Sequence, residues 1–129
     1  MALFLRQVVV FVTIYLVSGS LLGGDVVREF AGNGNTTTAA FEVRAPWLLD
    51  WRVNGEYTSL MGFEIDLIDA RTGLHAGQVL RTKRKGNGVK LFSESGRYRL
   101  RITSSLAKWQ IKIEEISREE AKSYTPRGN

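Results

Sequence analysis

From Phe41 to Glu114 apolar and polar residues alternate in short runs, the period-two pattern that sends successive side chains to opposite faces of a β-strand. Phe41 and Val43 alternate with Glu42 and Arg44. After Pro46, Trp47, Leu49, Trp51 and Val53 alternate with Leu48, Asp50 and Arg52. Phe63, Ile65 and Leu67 alternate with Glu64 and Asp66, and Tyr98, Leu100 and Ile102 with Arg97, Arg99 and Arg101. A last run sets Trp109, Ile111 and Ile113 against Lys108, Gln110, Lys112 and Glu114. Weaker strands are predicted through Val26, Val27 and Phe30, through Gly77–Thr82, and through Val89, Leu91 and Phe92. Turn-forming residues separate them: GNGNTTT (32–38), Asn54-Gly55, Arg71-Thr72-Gly73 and Glu94-Ser95-Gly96. Gly86-Asn87-Gly88 reads as a hairpin turn closing the basic loop that begins at Lys83.

Seven or eight short strands with a turn every eight to twelve residues predict an all-β domain, an antiparallel β-sandwich of jelly-roll-like form. One polar face per strand means that each sheet is solvated outside and packed inside. The core expected between the sheets is Phe41, Trp47, Trp51, Phe63, Ile65, Tyr98, Leu100, Trp109 and Ile111.

The pattern before Asp25 is different. A single cation, Arg6, precedes the apolar run Val8–Val17, and small residues follow at Ser18, Gly19, Ser20, Gly23 and Gly24. That order is expected of an export signal helix. No charge falls between Gln7 and Asp25, so the segment also approaches the length of a spanning helix, and an uncleaved anchor is the rival reading. The expected organisation is a signal peptide or membrane anchor at 1–24, the sandwich at 25–116 and a polar tail at 117–129 holding one helical turn. The domain is accordingly expected outside the cytoplasm, periplasmic or extracellular.

Composition narrows the chemistry. Cysteine is absent from the 129 residues, which excludes disulfides, thiolate metal sites, a cysteine nucleophile and the lipid-attachment residue of a lipoprotein. Eighteen Lys and Arg against 13 Asp and Glu give a net charge of +5. This mild excess suits an anionic surface and falls short of a nucleic-acid-binding composition.

The runs FEVRAPWLLDWRV, FEIDLIDARTG and SGRYRLRITSSLAKWQIKIEE resemble a recurring kind of small exported bacterial β-sandwich domain. Its marks are a Trp-x-x-x-Trp strand (Trp47, Trp51), an Asp-x-x-x-Gly turn (Asp69, Gly73), a Gly-x-Tyr-x-Leu strand (Gly96, Tyr98, Leu100) and a closing strand that begins with Trp109. The resemblance covers residues 38–114. It implies the architecture and carries no functional residue.

No catalytic set, metal site or cofactor is expected. The one histidine, His75, lies in a turn-rich stretch, and Glu64 and Asp66 read as the solvent face of a strand. An enzyme would require a pocket joining His75 to two carboxylates. The basic residues are the candidate site. Arg81, Lys83, Arg84 and Lys85 precede one turn, and Arg97, Arg99 and Arg101 line one strand face. If those elements are neighbours, they form a stripe for an acidic polysaccharide, a phospholipid head group or an acidic protein; otherwise the arginines pair with Glu42, Glu64 and Glu114 across strands. The expected function is a non-enzymatic binding or structural accessory at the cell envelope, acting on a protein or glycan and not on nucleic acid. A carbohydrate-binding module is the alternative, opposed by tryptophans in core register.

Overall fold

The computed structural model describes residues 24–55 and 61–124. Residues 1–23, where the export segment is expected, lie outside them. Nine strands follow in order: β1 (Asp25–Gly32), β2 (Thr36–Thr37), β3 (Phe41–Val43), β4 (Trp47–Asn54), β5 (Gly62–Asp69), β6 (His75–Thr82), β7 (Gly86–Phe92), β8 (Gly96–Ser105) and β9 (Lys108–Glu115), with one helical turn, α1 (Arg118–Ala121), after them.

The strands form two antiparallel sheets, ordered β1-β9-β4-β7 and β2-β8-β5-β6, with β3 also on β8. β2 and β3 pair with successive stretches of the same β8 edge, Thr36 with Ile102 and Phe41 with Tyr98. They therefore fill one strand position, and the sandwich has eight. The break falls at Thr38, which is buried. Its backbone N–H donates to Leu100 O, and its hydroxyl accepts from Leu100 N at 3.0 Å, so both Leu100 backbone groups stay bonded across the interruption. Apart from the β5–β6 hairpin and this broken strand, each consecutive connection crosses from one sheet to the other. Together with the strand orders, that makes the sandwich a jelly roll, as the sequence pattern predicts.

The inward positions of both sheets form one core: Phe41, Val43, Trp47, Leu49, Val53, Phe63, Ile65, Leu67, Tyr98, Leu100, Ile102, Trp109, Ile111 and Ile113, joined by Met61 and Ala107. Trp51 packs against this core but is only half-buried. It lies beside β7, at the sheet edge, where no further strand covers it. Aromatic rings cluster towards each end of the sandwich. Trp47 stacks on Phe92 at 4.1 Å between ring centroids and meets Phe41 edge-on at 6.1 Å. At the other end Phe63 and Trp109 lie 6.4 Å apart. Both buried indoles keep a hydrogen bond, Trp47 Nε1 to Glu94 O at 2.9 Å and Trp109 Nε1 to Gly34 O at 3.2 Å, as buried Trp requires.

The Gly-x-Tyr motif now has a packing reason. The Tyr98 ring folds back over Gly96, where a Cβ would stand 3.0 Å from the ring and hydroxyl. Burial, with Glu94 and Asp69 nearby, raises the Tyr98 phenol above its ordinary value.

One local expectation is corrected. Gly86-Asn87-Gly88 is not a turn; these are the first residues of β7, paired with Val53, Arg52 and Trp51. The turn is the shorter Lys83–Lys85. Gly88 belongs in a strand because Trp51 lies against it, its ring 2.8 Å from where a Cβ would be. Local turn chemistry gave way to cross-strand packing.

The loops separate into two groups. Those after β1, β4, β6 and β8 gather at one end, hereafter the loop end, and those after β3, β5, β7 and β9 at the other. At the second end α1 is capped by the Ser117 hydroxyl, which accepts from Glu120 N at 3.0 Å.

Candidate binding groove

The basic residues singled out from the sequence do not form one stripe. Arg97, Arg99 and Arg101 lie exposed on the outer face of β8, and Arg81 lies on β6. β5 runs between those two strands and carries carboxylates. Register sets Arg97 opposite Glu42, Arg101 opposite Asp66, and Arg81 opposite Glu64. Opposite charges thus alternate across this face, an arrangement that stabilises a sheet and neutralises its surface. Glu114 is on the other sheet, where it pairs with Lys112 at 2.9 Å. Lys83 and Arg84 are in the turn at the loop end, and Lys85 points the chain into β7.

Lys85 belongs to a different constellation, on the outer face of the β1-β9-β4-β7 sheet. Asn87 of β7, Arg52 of β4, Gln110 of β9 and Ala31 of β1 are consecutive cross-strand partners. The strands therefore set an amide, a guanidinium and a second amide side by side, one per strand, about 4.8 Å apart. One step nearer the loop end, Asn54 of β4 pairs with Lys108 of β9. Lys85 and Asn33 close the sides, and the whole forms an open groove of about 850 Å³.

Among the described residues no carboxylate lines this groove, which carries Arg52, Lys85 and Lys108. Among the described residues, the side chains of Arg52, Lys85, Asn87, Lys108 and Gln110 make no hydrogen bond or ion pair, and all five are exposed. The groove continues away from the loop end into a second hollow of about 420 Å³, lined by Glu29, Asp50 and Lys112 and sharing Arg52 and Gln110 with the first. There the electrostatics reverse. Lys112 is held above its ordinary value first by its hydrogen bond to Glu114, then by the nearby charges of Glu114, Asp50 and Glu29, which outweigh desolvation. Its charge is internally matched. Among the described residues, the charges of the first hollow have no such partner.

Beyond that second row the face becomes apolar. Leu48 pairs with Leu91 and is buried although it points away from the inter-sheet core. α1 flanks Leu91 there, with Ala121 and Lys122 beside Pro46. The face is thus graded from covered, through charge-matched, to open and cationic at the loop end.

His75 begins β6 and meets one carboxylate, Asp66 Oδ1 at 2.9 Å. Glu64 is engaged separately, accepting from Gln78 Nε2 at 2.7 Å. His75 is half-exposed on an outer sheet face, so these groups form surface pairs. Among the described residues no three His, Cys, Asp or Glu side chains converge as metal ligands.

The fold and this face define a jelly-roll domain with an open, cationic, amide-rich groove on one sheet. No protein-family model matches the chain, and no curated protein is significantly similar to it.

Sequence reasoning passed over Arg52, Asn87 and Gln110. The available signal was that Arg52 and Gln110 each occupy the polar phase of an alternating strand; their alignment with Asn87 depends on strand order.

Proposed function

We propose that this chain is an exported, non-enzymatic jelly-roll module that binds a polyanionic partner at the cell envelope through the groove centred on Arg52. One observation carries this reading. Three cations and the Asn87 and Gln110 amides converge there with no carboxylate or internal partner among the described residues, whereas Arg81, Arg97 and Arg101 of the opposite sheet face carboxylates across strands. A surface that leaves its charges unmatched keeps its field for a ligand. Among the described residues lining the groove the aromatic Trp109 is buried, which separates this mode from ring-stacking sugar platforms. The export signal read from residues 1–24 supplies the location.

The test is binding of the domain to immobilised heparin, a generic polyanion, as salt is raised. Lys85→Ala with Lys108→Ala should weaken binding about tenfold and flatten its salt dependence, as expected when two ionic contacts are lost. Replacing Arg97, Arg99 and Arg101 together by Ala should change it less than twofold. The opposite ranking of these two variants would place the ligand on the other sheet and refute the groove.

A further inference from the structure

Resting on that reading, we infer that the ligand is a carboxylated polysaccharide, a chain rich in uronic acid, lying across the strands along Asn87, Arg52 and Gln110. Charge alone would be served by lysines anywhere on the face. This row differs in the chemistry and spacing of its groups. Arg52 carries a planar fork whose two parallel N–H groups match the two oxygens of a carboxylate. It sits between two primary amides, each of which offers a donor pair and an acceptor. That combination suits vicinal hydroxyls, which both donate and accept. A phosphate polymer has few groups able to use the amide oxygens.

The geometry supports a chain more than a compact ion. The three groups come from adjacent strands in direct register, so they repeat at about 4.8 Å, close to the advance of one pyranose ring along its polymer. The groove is open and the row runs across the sheet from the edge strand β7 towards the edge strand β1, so a chain can lie across the strands and leave over either edge. Lys85 and Lys108 flank the row on the loop side, where they would meet carboxylates of neighbouring sugar units. On the other side the matched Lys112 and the carboxylates Asp50 and Glu29 set a boundary that an anionic chain would not cross. The ligand track is therefore confined to a band one or two residues wide.

The experiment is titration calorimetry of the domain with polygalacturonate, inorganic polyphosphate and dextran at one ionic strength. Polygalacturonate should bind, dextran should not, and polyphosphate should bind more weakly. Arg52→Lys keeps the charge and removes the fork; it should weaken polygalacturonate binding about tenfold while changing polyphosphate binding less than twofold. Asn87→Ala with Gln110→Ala should weaken only polygalacturonate. All these side chains are exposed, and melting curves identical to the parent would show that the fold is intact. Equal losses for both polymers in Arg52→Lys, or stronger binding of polyphosphate than of polygalacturonate, would overturn the carboxylated-glycan inference and leave the cationic groove standing. Failure of every polyanion to bind would overturn the groove reading itself.

Discussion

Each edge strand of the β1-β9-β4-β7 sheet sets a glycine directly opposite a tryptophan of an inner strand, Gly32 with Trp109 and Gly88 with Trp51. In both pairs the indole lies over the glycine, with ring atoms 2.6 Å and 2.8 Å from where a Cβ would stand. The missing side chain is thus replaced by a ring from the neighbouring strand. Gly88→Ala should destabilise the domain by about 1–3 kcal/mol, because the Trp51 ring must leave a packed position. Gly62 is the control. No atom lies within 4 Å of its Cβ position, so Gly62→Ala should fall within about 0.5 kcal/mol of the parent. Urea denaturation of the two variants measures the difference; coincident midpoints would dismiss the idea that the ring is what excludes the side chain. Nothing in the local sequence marks these glycines, since Gly32 and Gly88 read as turn residues until a tryptophan far along the chain is brought opposite them.

At the scale of the element, the β5–β6 hairpin shows why some motifs are legible. Asp69 Oδ1 accepts from Arg71 N at 2.8 Å and Thr72 N at 3.2 Å, and Gly73, at φ +75°, donates its N–H to Asp69 O. Every partner lies within four residues, so the Asp-x-x-x-Gly spacing contains the whole turn. Gly73→Ala should cost about 1–2 kcal/mol, because the left-handed backbone brings a Cβ against the following carbonyl; thermal unfolding would register it, and an unchanged midpoint would mean the turn relaxes freely. Strand existence is legible for the same reason. Alternation at Phe63–Leu67 or Tyr98–Ile102 is local, and it identifies the buried face correctly. What alternation cannot reveal is the neighbour. That Arg97 faces Glu42, or that Asn87, Arg52 and Gln110 share a row, follows from pairing between residues 35 to 58 positions apart in the chain. The candidate groove was therefore hidden, although each of its residues was visibly on a polar phase.

At the scale of the whole molecule, two groups on different sheets tie stability to alkaline pH. Tyr98 is raised above 10.0 chiefly by burial, and Lys112 above 10.5 chiefly by its bond to Glu114. In both the folded state holds the proton more tightly than the unfolded chain. Their stabilisation is complete below about pH 10 and is lost as pH climbs through the raised folded values. The urea midpoint of the parent should therefore drop above pH 10 more steeply than that of Tyr98→Phe or of Lys112→Gln, and the two effects should add because the groups share no contact. Parallel profiles for parent and Tyr98→Phe would exclude the phenol as a source.

Because β1 starts and β9 finishes at the end opposite the loops, the described chain enters and leaves on one side. The eight residues of β1, at about 3.3 Å each, span roughly 25 Å. A tether fastened ahead of Gly24 or after Tyr124 would hold the domain upright by its base, with Arg52, Lys85 and Lys108 near the tip. Anchorage and capture would then use opposite poles, and a module fixed to one surface would reach outward for a polymer beyond it.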